Sequence, residues 1–215
     1  MYVQNINSTP NHNFGARALA KTQIKQQIPF TPFYRKVNAY FVELSTPKDI
    51  KSFNKYAQNY NYGATTEAIA MNLKMHPKHS KAYALTTQSN NFENLDPEKI
   101  IGACDGTFIP NIFRQSGKFC VDNLEAQSKH NLMARHKTLD LNILGCQIKI
   151  PMKRKGIGTE IMKRLIAHLN NERVDRVEVL SVPEAMPFYK SLKKWQNEEH
   201  SFALEKKNFL AFANN

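Results

Sequence analysis

The chain has 215 residues, 41% of them hydrophobic and 10% aromatic, and this length suits one domain with an ordinary core. No apolar run approaches the roughly 20 residues of a transmembrane helix, and no secretory signal begins the chain, so we expect a soluble, cytoplasmic protein with no membrane partner. The formal net charge of +12 favours phosphates, nucleic acid or acidic surfaces as partners, but it names none of them.

The three cysteines are Cys104, Cys120 and Cys146, an odd number with wide spacing. They form no CxxC pair, which argues against both a disulfide framework and a zinc site. We therefore expect a reducing compartment and no metal.

The N-terminal segment is rich in Asn, Gln, Thr and Pro, and no Asp or Glu occurs before Glu43. Three aliphatic residues within it are spaced for one side of a short basic helix over 16–27: Leu19, Ile24 and Ile28. An organelle-targeting peptide is the alternative, but the segment holds few arginines. We predict a flexible basic extension over residues 1–36 and one domain over residues 37–215.

The chain becomes regular after residue 38. The predicted strands are 40–44, 82–87, 99–104, 138–150, 176–180, 201–204 and 208–212. The predicted helices are 47–60, 65–75, 156–169 and 184–195. Residues 106–137 show no sustained period and are predicted to form a substrate-side loop. Strands that alternate with helices after residue 138, together with the earlier hairpin, predict an α/β fold with a mixed sheet.

Residues 148–159 carry the main chemical signal, because a strand there enters a basic, glycine-containing turn and then a strong helix. Glycines let the backbone approach a ligand, and the free amides at a helix start donate to phosphate oxygens. Dinucleotide sites share this pattern, but the segment matches neither GxGxxG nor GxxxxGK[ST]. The residues alone therefore predict an anion site without naming the ligand.

Residues 153–158, KRKGIG, and residues 185–192, AMPFYKSL, form two motifs in register, and together they resemble motifs of the GCN5-related N-acetyltransferases. Residues 153–158, KRKGIG, resemble the family's pyrophosphate signature [QR]-x-x-G-x-[GA], with Lys153 at the first position. Residues 185–192, AMPFYKSL, resemble its A-x-x-F-Y-x-x-L segment. The resemblance is specific over about 138–195 and topological over 38–105. It implies a mixed, mostly antiparallel central sheet with flanking helices, and acetyl-CoA as cosubstrate.

The resemblance also assigns the cofactor contacts. In the family, the strand before the phosphate loop splays at a bulge, which we expect at Gly145. The pantetheine and thioester would lie beside Cys146, Gln147 and Ile148. The pyrophosphate contacts would come from one run: Lys153, Arg154, Lys155, Gly156, Ile157, Gly158 and Thr159. Lysine at the first position keeps the charge but loses the planar fork of arginine.

Tyr189 matches the family tyrosine that protonates the departing CoA thiolate, a role within the reach of a neutral phenol. The alternative is that Tyr189 is a core residue. The candidates for the base that deprotonates the acceptor amine are Asp140 and Glu178. A covalent role for Cys146 is disfavoured, because no motif places a histidine beside it.

Three departures from the family pattern bear on the acceptor geometry. They are Val182 in place of a frequent Asn, Lys193-Lys194 in place of Gly-Phe, and Pro187 early in the helix.

We therefore expect an N-acetyltransferase that moves an acetyl group directly from acetyl-CoA to a primary amine in a ternary complex. The acceptor, whether a small molecule, a peptide or a protein, stays open. The alternative is a non-catalytic module of the same fold that binds nucleic acid or a ribosomal or other protein partner. The charge allows nucleic acid, but no RNA-binding motif supports it.

Overall fold

The computed structural model describes residues 16–28, 30–44, 48–49, 51–52, 55, 80–110, 137–145, 156–172, 174–181, 183–198 and 201–215. The chain divides into two compact units. The first comprises residues 1–105 and 144–164, and the second comprises residues 106–143 and 165–215.

The described residues contain eight strands and three α-helices. The strands are β1 (Arg17–Gln27), β2 (Tyr34–Leu44), β3 (Ser80–Thr86), β4 (Ile100–Pro110), β5 (Lys137–Gly145), β6 (Val174–Leu180), β7 (Gln196–Glu198) and β8 (Ser201–Glu205). The helices are α1 (Ile157–Asn170), α2 (Met186–Ser191) and α3 (Phe209–Ala213). Short 3-10 turns occupy Pro97–Lys99, Pro183–Ala185 and Lys206–Asn208.

The first unit holds β1, β2, β3 and the part of β4 up to Asp105, in that order in the sheet. β1 pairs antiparallel with β2, and β2 pairs antiparallel with β3. The core of this unit is built on β2 and β3, where the rings of Phe41 and Tyr83 stack with centroids 5.5 Å apart. Both side chains are almost fully buried, so these strands anchor the unit.

The N-terminal segment differs from its prediction. Residues 17–27 form a strand in register with β2, so the helix proposed over 16–27 is wrong, and these residues are not a flexible tail. β2 also begins at Tyr34, well before the predicted start at residue 40 and inside the extension drawn to residue 36. Long-range pairing outweighs the helical spacing of three aliphatic residues. Residues 1–15 lie outside the described residues.

The hairpin predicted from two strands and a polar turn is confirmed as β3 and β4. The buried amide of Gln88 organises its connection by donating to the carbonyls of Asn90, Asn91 and Asn94 at 2.6–3.0 Å. β4 extends to Pro110, so the loop predicted from residue 106 is wrong for its first five positions. Residues 111–136 lie outside the described residues.

Two helices predicted between β2 and β3 are described only in part. Lys48, Asp49, Lys51, Ser52 and Lys55 are helical, as predicted. The helix predicted over 65–75 lies outside the described residues.

The second unit holds β5 up to Ile143, β6, β8 and β7, in that order in the sheet. β5 and β6 are parallel, while β8 pairs antiparallel with both β6 and β7. The mixed, mostly antiparallel sheet is thereby confirmed. Arg176 on β6 binds Glu178 at 2.5 Å and also binds Glu205 on β8, which ties these two strands together at the level of the side chains.

The C-terminal helices differ from their predictions. The helix expected over 184–195 is α2 and ends at Ser191, because Leu192 is extended and Lys194 has a φ of 74°. The strand expected over 208–212 is instead α3. Its short sequence FLAFA has no strand alternation, since Phe209 and Phe212 are buried at a spacing of three.

Helix α1 confirms the strongest helical pattern in the sequence. The four residues predicted to share a face are all at most 1% exposed: Ile157, Ile161, Leu165 and Leu169. Such a stripe of aliphatic side chains stabilises a helix mainly through packing.

Among the described residues, no helix combines the length and the apolar character needed to cross a membrane.

Candidate functional site

The turn that enters α1 is centred on Gly156. Its φ of 77° lies in the left-handed region, where residues with a Cβ are strained. A Cβ placed there would meet no atom within 4 Å, so the glycine faces open space. The left-handed backbone conformation favours glycine at this position, and the space in front of the turn is accessible.

The first turn of α1 presents the amides of Ile157, Gly158 and Thr159. The first α-helical bond is donated by the amide of Glu160 to the carbonyl of Gly156 at 2.9 Å. Among the described residues, no side chain caps the three preceding amides. The sequence prediction that these amides serve a ligand stays a prediction, but the helix start has the open geometry that it needs.

An open groove of about 580 Å³ lies beside this turn within the first unit. The helix side contributes Gly156, Thr159, Glu160 and Lys163. The strand side contributes Gln23, Ile24, Lys25 and Tyr34. Two predicted cofactor residues, Gly156 and Thr159, therefore share a groove with the N-terminal hairpin.

Three side chains fasten β1 to the start of α1. Thr22 donates its hydroxyl hydrogen to Oε1 of Glu160 at 2.5 Å, and Nη2 of Arg164 donates to the Thr22 hydroxyl oxygen at 3.0 Å. Nε of Arg164 donates to the same Glu160 oxygen at 2.7 Å. Since Thr22 is buried, this triangle fixes the position of β1 against the helix and so fixes the width of the groove.

The groove carries positive charge. Lys25 and Lys163 line it, and neither has an ion-pair partner among the described residues. The one carboxylate of the lining, Glu160, is neutralised by Arg164. A groove with two unpaired ammonium groups beside open helix amides attracts an anion such as a phosphate.

Tyr189 lies in the second unit, on α2, and is 4% exposed. Its ring stacks on that of Phe202, with the ring centroids 5.4 Å apart. The centroids of Phe188 and Trp195 lie 5.0 Å and 6.3 Å from that of Tyr189. Pro187 occupies the first turn of α2, where proline is tolerated. The aromatic contacts fit the core interpretation of Tyr189, and its assignment as the acid stays a prediction.

The two candidate bases lie on neighbouring strands. Asp140 on β5 is in register with Glu178 on β6. Glu178 accepts a hydrogen bond from Nε of Arg176, so its carboxylate is held in an ion pair. Both carboxylates stay candidates for the base.

The other predicted site residues lie outside the described residues. They are Cys146, Gln147, Ile148, Lys153, Arg154 and Lys155. β5 ends at Gly145, where a bulge was expected, and the residues that follow it are not described.

Sequence reasoning missed the strand side of the groove. One available signal was the pair of prolines in residues 28–34, IPFTPFY, which separates two segments of similar length and is typical of a hairpin turn. Lys163 was also missed. It lies one helical turn after Thr159, and a residue at that spacing shares its face of a helix.

No protein-family model matches the sequence, and no curated protein sequence matches it. Solved structures do match. FeeM, an N-acyl amino acid synthase from uncultured soil microbes, is 11% identical with a TM-score of 0.52, and the match covers 81% of this chain and 93% of FeeM.

The ribosomal-protein-S18-alanine N-acetyltransferase from Escherichia coli is 13% identical with a TM-score of 0.46, and the match covers 77% of this chain and 93% of that one. GCN5 from Tetrahymena is 11% identical with a TM-score of 0.42, over 74% of this chain and 89% of its own.

The chain has the fold of the GCN5-related N-acetyltransferases. The expectation drawn from the two motifs is confirmed at this level. At these identities the likeness to the solved structures is one of fold.

Proposed function

We propose that the protein is an acyltransferase that uses acetyl-CoA and moves its acetyl group directly to a primary amine. The observation that carries the proposal is the open turn at Gly156, which shares one groove with two lysines and leads into helix amides that no described side chain caps. A diphosphate fits this arrangement, because its oxygens accept from main-chain amides and its charge is balanced by Lys25 and Lys163.

The acetyl thioester of the donor supplies an activated carbonyl carbon. In the proposed reaction the neutral amine attacks this carbon, the new C–N bond forms and the C–S bond breaks. The departing thiolate takes a proton from the phenol of Tyr189, as the resemblance to the family implies. The proton of the attacking amine passes to a base, for which Asp140 and Glu178 are the candidates.

Two features support the nucleotide end of acetyl-CoA as the occupant of the groove. Its volume of about 580 Å³ falls in the range of small-molecule sites. Its lining contains both lysines and the aromatic ring of Tyr34. An aromatic ring can stack on a purine while the lysines bind the phosphates linked to it. The groove thus adds Lys25, Tyr34 and Lys163 to the contacts expected from the motif.

Calorimetry with acetyl-CoA and with CoA tests the proposal on the full chain. We expect saturable binding of both, and a roughly fivefold to tenfold loss of affinity for Lys163→Gln, since one phosphate-directed charge is removed. The matched control is Lys207→Gln, which changes an exposed lysine of the second unit and should bind CoA unchanged.

The absence of binding at millimolar acetyl-CoA would contradict the proposal. If acetyl-CoA binds, a screen for CoA release over amines, peptides and amino acids identifies the acceptor. Binding without turnover of any amine would favour a non-catalytic module.

A further inference from the structure

Exposed apolar side chains are concentrated at the tip of the β1–β2 hairpin. The described residues contain six large hydrophobic side chains that are exposed, and four of them fall within residues 28–34. Three of the four, which we call the tip cluster, are Ile28, Phe30 and Phe33, while the fourth, Tyr34, lines the groove beside Gly156. Phe33 is 69% exposed and Phe30 is as exposed as in an extended peptide. Such concentrations on a surface mark interaction sites.

The turn that carries the tip cluster is ordered by its own hydrogen bonds. The amide of Ile28 donates to the carbonyl of Phe33 at 2.9 Å, and the amide of Thr31 donates to the carbonyl of Ile28 at 3.2 Å. The Thr31 hydroxyl donates to the same carbonyl and accepts from the amide of Phe33. The aromatic rings are therefore displayed from a closed turn.

Phe30 has a φ of 62°, which lies in the left-handed region. An aromatic residue is uncommon there, and Gly or Asn would hold the same backbone at lower cost. A strained residue that is also fully exposed gains no packing within the described protein in return. Strain of this kind is typical of sites with a function.

The strands below the tip cluster carry a basic collar, formed by Arg35 and Lys36, and Lys25 of the groove lies beside it. In the hairpin register Lys25 lies directly opposite Lys36, and like charges in this position repel. All three cations are exposed, and no acidic residue occurs before Glu43 to compensate them. The collar therefore matches a surface that is rich in negative charge.

We propose that this hairpin inserts its tip cluster into an anionic phospholipid bilayer, with the basic collar at the level of the headgroups. The apolar side chains lie at the tip of the hairpin and the cations lie below them on its strands. This order matches a bilayer, which has acyl chains inside and phosphates outside. Single-stranded nucleic acid would match the cations and the aromatic rings but leaves no partner for the aliphatic Ile28. The expectation of no membrane partner rested on the missing apolar run, which concerns spanning helices and not a surface finger of this kind.

Co-sedimentation of the full chain with vesicles tests the proposal, using phosphatidylcholine alone and phosphatidylcholine with a quarter of phosphatidylglycerol. We expect binding only to the anionic vesicles and release at high salt. The variant Phe30→Asn/Phe33→Ser removes both rings, and asparagine suits the left-handed backbone at position 30. We expect it to lower the partition coefficient by roughly 30-fold or more, because two phenyl rings leave the interface. Arg35→Gln/Lys36→Gln should lower the coefficient by roughly fivefold per charge.

Control variants make comparable changes in the second unit, an apolar-to-polar pair and a pair of charge removals. Leu180→Thr/Leu210→Gln removes two other exposed apolar side chains, and Lys193→Gln/Lys207→Gln removes two other exposed charges. Neither should alter vesicle binding.

Three outcomes would overturn the proposal. The first is the failure of the wild-type chain to sediment with anionic vesicles. The second is equal loss of binding in the controls. The third is that the wild-type chain binds a single-stranded oligonucleotide more tightly than it binds anionic vesicles, and that the Phe30→Asn/Phe33→Ser variant loses this oligonucleotide binding. That result would assign the hairpin to nucleic acid. A thermal melt of each variant reports folding, and destabilisation by Phe30→Asn/Phe33→Ser would mean that the chain itself covers the tip cluster.

Discussion

The turn at Gly156 and the segment around Tyr189 were both found by motif, yet they are built in opposite ways. The turn is exposed main chain in the left-handed region, and a Cβ placed at Gly156 would meet no atom within 4 Å. Tyr189 is a packed side chain enclosed by Phe188, Trp195 and Phe202. Substitution at the turn should therefore act through backbone conformation, whereas substitution at Tyr189 acts through both packing and chemistry.

The largest expected effect is on folding, at Tyr189. Tyr189→Ala removes a buried ring from an aromatic cluster and should lower the free energy of unfolding by about 3–5 kcal/mol. Urea denaturation followed by far-ultraviolet circular dichroism measures it. Tyr189→Phe keeps the ring and should stay within about 1 kcal/mol of wild type, the scale of one hydrogen bond. Similar losses in both variants would mean that the hydroxyl, and not the ring, holds the cluster.

The next effect separates chemistry from packing at the same residue. If Tyr189 is the acid, Tyr189→Phe lowers kcat by about 100-fold or more while the affinity for acetyl-CoA stays near that of wild type. Turnover with the acceptor found in the screen, combined with calorimetry, gives both quantities. An unchanged kcat would leave Tyr189 as a core residue only.

A smaller effect is expected at the turn. The space that a Cβ would occupy at Gly156 is open, so the main cost of Gly156→Val is the left-handed backbone, about 1–2 kcal/mol of folding stability. We expect the affinity for CoA to fall by about tenfold as the amides of the first helical turn shift. Gly156→Asn tolerates this backbone and serves as the control, with a loss that should be clearly smaller. Equal losses of CoA affinity in Gly156→Val and Gly156→Asn would mean that any side chain at this position blocks the ligand, whatever its backbone preference.

The smallest effect concerns the wall of the groove. Thr22→Val keeps the shape of the side chain but removes both bonds of its hydroxyl, to Glu160 and from Arg164, and should cost about 1–2 kcal/mol. The ion pair between Glu160 and Arg164 remains and limits the loss. The midpoint and slope of denaturant unfolding report stability, and calorimetry shows whether CoA affinity falls with it. A stability loss without any change in affinity would separate β1 from the nucleotide groove.

Much of the fold was readable from local pattern. Helix α1 was predicted within one residue at each end, since its four aliphatic residues repeat at helical spacing. The β3–β4 hairpin was readable from two apolar strands around a polar turn. These elements carry their information within short windows of sequence, which is the condition under which pattern reasoning succeeds.

The elements that were missed are fixed by distant partners. β1 is polar apart from a few residues, and its strand conformation comes from ten residue pairs with β2. α3 is a single short turn of helix in which two phenylalanines reach the core, so its pattern is too brief to distinguish from a strand. At the candidate site, the turn at Gly156 could be predicted because its left-handed backbone requires glycine. The groove beside it could not be predicted, because its other wall is formed by residues more than 120 positions earlier in the chain.

The fastening of Thr22 to Glu160 and Arg164 has a practical consequence for where this protein can be cut. A truncated chain that begins at residue 37, the boundary suggested by composition, would lose β1 and the first residues of β2. The remaining part of β2 would then become the outermost strand, with a row of unsatisfied amides and carbonyls open to pairing between molecules. Such a fragment would be prone to aggregate, so a shortened form that stays dispersed must retain the residues from Ala16 onward.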